Sequence, residues 1–452
     1  MIFYIDPGTG SMLFTILIGV IGAAIYALRN SWVKLKVLLS GGKDRSRESA
    51  RIPFVFFTDS KRYWTIFKPL CDEMEKRGET VLYLTASPDD PLLKEKYEHV
   101  KAEFAGEGNR AFARMNMLQA DVVLSSTPGL DVYQWKRSRD VSWYVHVLHA
   151  ANGVTCYRMF GIDYYDALLL SGEYQINEVR KMEALRHLPP KECVMAGLPH
   201  MDSLRQKWLE RGPAPAHKTT VLLAPSWGPS SIFNRFGEQM IENLCKTGYH
   251  IILRPHPQSM TSEKELIDRL RQKFPESEKL EWNFDNDNFD VLYRSDLLIS
   301  DYSGVVFDFA LVFDRPIIYA DVDFDYEPYD AGWLDEEMWT FRALPKVGMQ
   351  LTQENADKLP EMIEESLHSQ AYAEGRKAAI EETWANVGNS VPTIADYLSE
   401  VRQRLLKEAG SNDEAAETAK QKKRFSKETR NKTVKVQMSD ETENSHGKEQ
   451  HS

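Results

Sequence analysis

The segment LLISDYSGVVFDFALVFDRPIIY, residues Leu297–Tyr319, contains a complete strand and helix pattern from which the architecture of the chain can be inferred. It begins and ends with short apolar runs, Leu297–Ile299 and Pro316–Tyr319, which are typical of buried strands. The polar segment Ser300–Gly304 follows the first run, and apolar residues then recur at helical spacing over Val305–Phe313. The stretch therefore predicts a strand, a polar elbow, a helix and a second strand, which together form one βαβ unit.

The polar elbow of this unit is a candidate ligand site. Ligands of open α/β sheets bind at the carboxyl ends of strands, and the free N–H groups that begin a helix favour an anion. Ser300 and Ser303 can add hydroxyl donors beside Gly304. The alternative is an ordinary strand-to-helix loop in which a serine caps the helix.

The composition is that of a globular protein. With 452 residues the chain exceeds one ordinary core and predicts two domains with additional segments. A net charge of -11 argues against a general nucleic-acid binder. The four cysteines form no CxxC pair and indicate reduced thiols in a cytosolic setting without a structural zinc site. They are Cys71, Cys156, Cys193 and Cys245.

An apolar segment near the start predicts a membrane anchor. Met12–Leu28 contains no charged residue and, with the apolar residues before it, approaches the ~20 needed to span a bilayer. Basic residues follow it, an order that fits a retained anchor with its carboxyl side in the cytoplasm. We therefore expect residues 1–30 to form a turn and a single-pass helix in the inner (cytoplasmic) membrane, followed by a basic juxtamembrane segment, 31–52. A buried hairpin or an interfacial helix is the alternative.

The rest of the chain alternates between strand and helix patterns, which predicts parallel sheets. One βα series fills residues 53–204, a charged and proline-bearing segment at 205–217 reads as a linker, and a second series fills 218–409. Residues 410–452 are polar and should be disordered. The predicted fold is therefore α/β of the GT-B type: two Rossmann-like domains face each other across a cleft, after an N-terminal transmembrane helix.

Three polar elbows in the second half each follow an apolar strand: Pro225–Gly228, Arg254–Pro257 and Ser300–Gly304. Strand ends of a parallel sheet share one edge, so we expect the elbows to converge. Arg254 offers a planar fork of donors that suits phosphate. His256 can donate to a phosphate oxygen or protonate a leaving group near neutral pH. A rigid surface turn is the alternative for this proline-flanked loop.

The first half carries two histidines near the end of one strand. Alternation along the strand puts His146 and His149 on opposite faces. We expect His146 to pack within the sheet and His149 to face the cleft, where a base would lie.

Three motifs carry a resemblance to a known family. Ala224–Trp227, Arg254–Pro257 and Ser300–Phe309, in that order and spacing, resemble the CDP-glycerol glycerophosphotransferase family, whose best-known members are teichoic-acid primases and polymerases. The resemblance runs over roughly residues 143–339. It implies a GT-B fold, membrane association, and transfer of glycerol phosphate from CDP-glycerol to a hydroxyl of a glycan or lipid-linked acceptor during cell-envelope polymer synthesis.

The resemblance also implies residue roles. The first domain would bind the acceptor, with His149 as its catalytic histidine, and the second would bind CDP-glycerol, with His256 as a further catalytic residue. On grounds of charge, Asp301 and Asp308 should not contact phosphate directly, so we expect Asp301 to bind a glycerol hydroxyl and Asp308 to cap a helix or orient a neighbouring side chain. The expected set for the donor and its phosphates is Ser226, Arg254, His256, Ser300, Asp301, Ser303 and Gly304.

We predict no cofactor beyond the substrate CDP-glycerol and no obligatory metal. The acidic pairs Asp285/Asp287 and Asp321/Asp323 resemble a metal-binding Asp-x-Asp, but solvated loops are the favoured interpretation in so acidic a region.

The chain differs from the family after the catalytic histidine. The usual Gly-Thr-Pro-Leu-Lys is replaced here by Ala150–Val154, which lacks the basic residue unless Arg158 takes its role. Two alternatives therefore stay open beside the main interpretation. One is a GT-B glycosyltransferase that uses a nucleotide sugar, and the other is a non-catalytic scaffold for envelope assembly.

Overall fold

The computed structural model describes residues 51–285, 287–320, 324–334 and 337–411. The predicted anchor, Met12–Leu28, lies outside these ranges. Within them, no helix combines the length and the apolar character needed to cross a bilayer.

The first half is built on a seven-stranded sheet in the order β3-β2-β1-β4-β5-β6-β7, and all of its neighbouring strands are parallel. Its five central strands are the nearly continuous apolar runs that give residues 53–204 their alternating strand and helix pattern. The edge strands β3 and β7 were missed because they carry polar residues and are only partly buried. The strands are β1 Ile52–Thr58, β2 Val81–Thr85, β3 Val100–Phe104, β4 Ala120–Ser125, β5 Val141–Val147, β6 Ala167–Leu170 and β7 Glu192–Met195.

The second half is built on a six-stranded parallel sheet in the order β10-β9-β8-β11-β12-β13. Its four central strands were predicted, and its two edge strands, which are short and mixed in polarity, were not. The strands are β8 Thr220–Leu223, β9 His250–Leu253, β10 Leu280–Trp282, β11 Leu297–Ser300, β12 Ile317–Ala320 and β13 Gly348–Leu351.

Both sheets are doubly wound. In each sheet the first strand lies beside the fourth. The first three strands are therefore added toward one edge and the later strands toward the other, and the order reverses between β1 and β4 and between β8 and β11. Crevices outside the carboxyl ends of strands at such a reversal are where ligands of open α/β sheets bind. The elbows that follow β8 and β11 therefore stand on the two sides of one crevice, as the predicted fold requires.

Helices cover both sheets. The helical segment that follows β8 is broken in two at Gly237, whose φ of 52° lies in the left-handed region. The helices are α1 Trp64–Lys76, α2 Asn109–Met115, α3 Glu173–Arg186, α4 Pro199–Arg211, α5 Ile232–Arg235, α6 Gly237–Lys246, α7 Ser259–Ser262, α8 Lys264–Lys273, α9 Phe289–Tyr293, α10 Val305–Phe307 with a π-helical turn Asp308–Val312, α11 Trp339–Val347, α12 Leu359–His368, α13 Gln370–Thr383 and α14 390–411.

The predicted linker, 205–217, is wrong in its first part. Helix α4 continues through it to Arg211, and its buried residues Met201 and Leu204 belong to the core. The charged residues that suggested a linker are the exposed face of this helix. Gly212, with a φ of 74°, ends it.

The predicted boundary of the second domain, 218–409, is also wrong. Helix α14 returns to the first half, where Ile394, Leu398 and Val401 are buried in the same apolar cluster as Phe54 of β1. The Arg402 side chain also bonds Asp121 at 3.1 Å. Only the tertiary fold shows which of the two sheets this last helix covers.

The two halves share buried contacts. One apolar cluster includes Met201 of α4 and Phe309 and Phe313 of the second half. The buried guanidinium of Arg186 bonds Asp163 at 2.8 Å and Asp330, from the second half, at 2.5 Å. The two halves are therefore joined both by apolar packing and by the ion pair of Arg186 with Asp330.

Candidate active site

A cavity of about 320 Å³ lies between the carboxyl ends of the two sheets. Ala150 and Asn152, from the segment that differs from the family pattern, line this cavity. Arg158 is not among the described residues that line it. The lining comprises Arg62, Tyr63, Trp64, Thr65, Ile66, His149, Ala150, Asn152 and His200 from the first half, and Ala224, Pro225, Arg254, Pro255, His256, Pro257, Asp287, Asn288, Ser303, Gly304, Val305 and Asp308 from the second.

His149 lies in this cavity, two residues after the end of β5. Its ring is 5.1 Å from the ring of Tyr63, and its Nδ1 has no hydrogen-bond partner among the described residues. Burial, followed by the nearby charges of His200 and Arg62, lowers the pKa of His149 to about 4, against the opposing effect of Asp308. The imidazole is therefore neutral near pH 7, which is the form that accepts a proton.

His146 has the structural role expected of it. Its side chain is fully buried in the sheet, and its Nε2 lies 2.8 Å from the hydroxyl of Tyr157. Burial lowers its pKa to about 3, so it stays neutral and packed.

Arg254 follows β9 and enters the cavity from the second half. Its guanidinium bonds the side chain of Asn283 and the backbone carbonyl of Asp285, the latter at 2.8 Å. Burial lowers its pKa, yet arginine remains charged in proteins. These partners hold the fork in place before any ligand arrives, which is the preorganisation that anion binding rewards.

His256 lies on the same loop and is held as a hydrogen-bond donor. Its Nδ1 accepts a hydrogen bond from the backbone N–H of Gln258 at 3.1 Å. In the neutral ring the proton must then be on Nε2. Burial, followed by the charge of Arg62, lowers the pKa of His256 to about 4. The geometry therefore favours donation from Nε2 to an oxygen over protonation of a leaving group near neutral pH.

The elbow after β11 divides into two parts. Ser303 and Gly304 line the cavity, whereas Ser300 and Asp301 are fully buried behind it. The Ser300 hydroxyl donates to the carbonyl of Ala224 at 2.7 Å. The structure thus does not place Ser300 at the donor site, and it holds the elbow against β8 instead.

Asp301 has a similar supporting position. Its carboxylate accepts hydrogen bonds from the backbone N–H groups of Ser226 at 2.9 Å, Ser303 at 3.2 Å and Ile232 at 3.3 Å. Burial raises the pKa of Asp301 to about 6, although these hydrogen bonds act to lower it. Ser226 is buried and is likewise outside the described lining. Asp301 and Ser226 therefore join two of the three predicted elbows rather than face a ligand.

Sequence reasoning missed a histidine–aspartate pair that spans the two halves. His200, at the start of α4, places Nε2 at 3.1 Å from the Asp308 carboxylate and Nδ1 at 2.9 Å from the Thr65 hydroxyl. Burial would lower the pKa of His200, but the charge and hydrogen bond of Asp308 outweigh it and raise the pKa. Asp308 therefore orients a ring, as expected, and favours its charged form.

Arg62 was also missed, although the sequence contained a signal for it. It is a polar residue a few positions after β1, and His200 similarly follows β7. Arg62 and Arg254 bring positive charge to the cavity, and His200 adds a further positive charge when its ring is protonated. Such a site suits a diphosphate.

The predicted acidic pairs do not form a cluster in the described residues. No group of three or more His, Cys, Asp or Glu side chains there has the arrangement of a metal site. Asp287 instead bonds Lys207 at 3.0 Å and the backbone N–H of Phe289 at 2.9 Å. The pair Asp321/Asp323 lies outside the described ranges.

Comparison with known proteins agrees with the motifs. Residues 163–379 match the family model described as CDP-Glycerol:Poly(glycerophosphate) glycerophosphotransferase. Over 122 residues, which are 26% of this chain, the sequence is 32% identical to a teichoic acid glycerol-phosphate primase of Bacillus spizizenii. That alignment spans 28% of the primase.

Solved structures confirm the fold. A structure of the wall teichoic acid polymerase TagF, soaked with CDPG, matches 84% of this chain and 99% of its own, with a TM-score of 0.51 and 16% identity. A putative UDP-N-acetylglucosamine 2-epimerase from Listeria monocytogenes matches 78% of this chain and 98% of its own, with a TM-score of 0.50 and 14% identity. At these identities the likeness concerns the two-domain α/β architecture. Residues 163–379, just under half of the chain, are therefore similar in sequence to the CDP-Glycerol:Poly(glycerophosphate) glycerophosphotransferase family.

Proposed function

We propose that the chain transfers glycerol phosphate, or a related polyol phosphate, from CDP-glycerol to a hydroxyl of a glycan or lipid-linked acceptor in cell-envelope polymer synthesis. One observation carries the proposal: His149 of the first half lines the same cavity as Arg254, His256 and Ser303 of the second. A neutral base thus faces a set of anion-binding donors. The family match and the soak of TagF with CDPG support CDP-glycerol as the donor.

The cavity residues account for each part of the transfer. The acceptor hydroxyl loses its proton to His149, and its oxygen attacks the phosphorus that bears glycerol. The bond from that phosphorus to the oxygen of CMP breaks, so CMP leaves and glycerol phosphate stays on the acceptor. Arg254 and the Nε2–H of His256 donate to the phosphoryl oxygens, where charge develops.

The pH dependence of the rate follows from the state of His149. A base acts in its neutral form, so activity is full above its pKa and falls as pH drops through it. We expect kcat/KM, which reports the free enzyme, to fall with a midpoint near the pKa of about 4. The bound diphosphate is anionic and favours the charged ring, so kcat should fall at a higher pH. Circular dichroism at each pH separates titration from unfolding, and a kcat/KM midpoint near the ordinary value of ~6.5 would contradict the buried-base account.

A panel of donors tests the proposal against the two alternatives. Purified protein is incubated with membrane extract and either CDP-glycerol, another CDP-polyol or a nucleotide sugar, and nucleotide release is followed. We expect CMP release with CDP-glycerol. Turnover of nucleotide sugars alone would favour a glycosyltransferase, and cytidine nucleotide binding without any turnover would favour a scaffold.

Membrane attachment is a separate part of the proposal and rests on Met12–Leu28. Deleting residues 1–29 is expected to move the protein from the membrane to the soluble fraction, because the apolar run supplies the main membrane affinity. Residual binding through the basic residues at 34–51 should be removed by salt. Fractionation at low and high salt measures both effects. If the truncated protein stays in membranes at high salt, the anchor lies elsewhere.

A further inference from the structure

A second cavity, of about 440 Å³, lies at the carboxyl ends of β12 and β13. Tyr302 forms part of its wall, and the next residue, Ser303, lines the first cavity. The two cavities therefore lie on either side of one elbow. The volume falls within the range of ligand pockets, about 300–1,000 Å³.

The walls of this second cavity are mainly aromatic. The ring of Phe324 lies 5.0 Å from that of Tyr302, 5.1 Å from that of Tyr326 and 5.4 Å from that of Phe341. Glu337 and Gln350 add a carboxylate and an amide, and none of the described lining residues is cationic. Without a cation, and with a carboxylate present, this site does not suit a diphosphate.

We propose that the second cavity binds a neutral sugar ring of the acceptor, an inference that rests on the proposed function. The C–H faces of a sugar ring stack on aromatic side chains, and its hydroxyls donate to carboxylate and amide oxygens. Bound there, the sugar can direct a hydroxyl past Tyr302 toward the phosphate side of the elbow. The pyrimidine of the donor is the competing occupant, and the CMP affinity of variants of this cavity distinguishes it from the sugar.

Two exposed residues allow a test without disturbing the core. Tyr326→Ser removes a stacking face, and Glu337→Gln keeps the shape while removing the charge. Tyr133→Ser, at a more exposed tyrosine outside both cavities, is the control. Transfer is measured with CDP-glycerol and membrane acceptor, CMP affinity by calorimetry, and sugar binding by saturation-transfer NMR with neutral oligosaccharides released from those membranes.

The expected result is a rise in acceptor KM of about tenfold or more in both variants, with CMP affinity unchanged and the NMR signal lost. A loss of CMP affinity would assign the cavity to the pyrimidine and overturn the inference. Unchanged acceptor KM, or no sugar binding by the unsubstituted protein, would overturn it as well. If sugar binding depends on both residues but no transfer occurs, the sugar site stands and the proposed function fails.

Discussion

Replacing His149 with alanine is expected to reduce transfer to the acceptor by roughly 10²–10⁴-fold, the usual contribution of a general base. CDP-glycerol binding should be kept, because the side chains proposed to bind its phosphates, Arg254 and His256, come from the other half of the molecule. Single-turnover transfer and calorimetric titration with CDP-glycerol measure the two quantities independently.

Two other histidines provide controls for this variant. His146→Ala should mainly lower the free energy of unfolding, since the ring is buried in the sheet and bonded to Tyr157. His368→Ala, at a side chain that is 80% exposed, should change neither property. Normal transfer by His149→Ala, or loss of donor affinity together with transfer, would require a different base.

Replacing Arg254 or His256 with alanine is expected to lower the rate of transfer by roughly 10²–10³-fold each, the usual effect of losing one preorganised donor. Arg254→Ala should also weaken CDP-glycerol binding, because the guanidinium is held in place by Asn283 and Asp285 before the ligand binds. Steady-state rates at saturating donor and the donor Kd separate the two effects.

The matched control is Arg269→Ala, at an arginine on the exposed side of α8. It should leave the rate and the donor Kd unchanged. Arg254→Lys keeps the charge without the planar fork and should recover only part of the loss. Folded Arg254→Ala and His256→Ala proteins with unchanged rates would remove this loop from the mechanism.

The sequence predicted the fold where strands are buried on both faces. Strands such as β1, β8 and β11 are continuous apolar runs that end in polar residues, so both their position and the side of the sheet that carries the site could be inferred. The edge strands β3 and β13 are half exposed and mixed in polarity, so they lack that pattern. Helix α14 covers the first sheet because of packing across the whole chain, which local periodicity does not encode.

The site was predicted at the level of loops rather than side chains. The strand-end rule found His149, Arg254 and His256, but it could not tell that Asp301 turns inward to bond backbone N–H groups. The pair of His200 and Asp308 joins residues that are 108 positions apart, so only the tertiary fold brings it together.

The nucleotide released from CDP-glycerol shows whether the acceptor attacks the phosphorus that bears glycerol. Purified protein and membrane acceptor are supplied with CDP-glycerol labelled in both glycerol and the adjacent phosphate, and products are separated by chromatography. Attack at this phosphorus predicts that both labels enter the acceptor in equal amounts and that CMP appears in the same quantity. Release of CDP, with only the glycerol label in the acceptor, would contradict it.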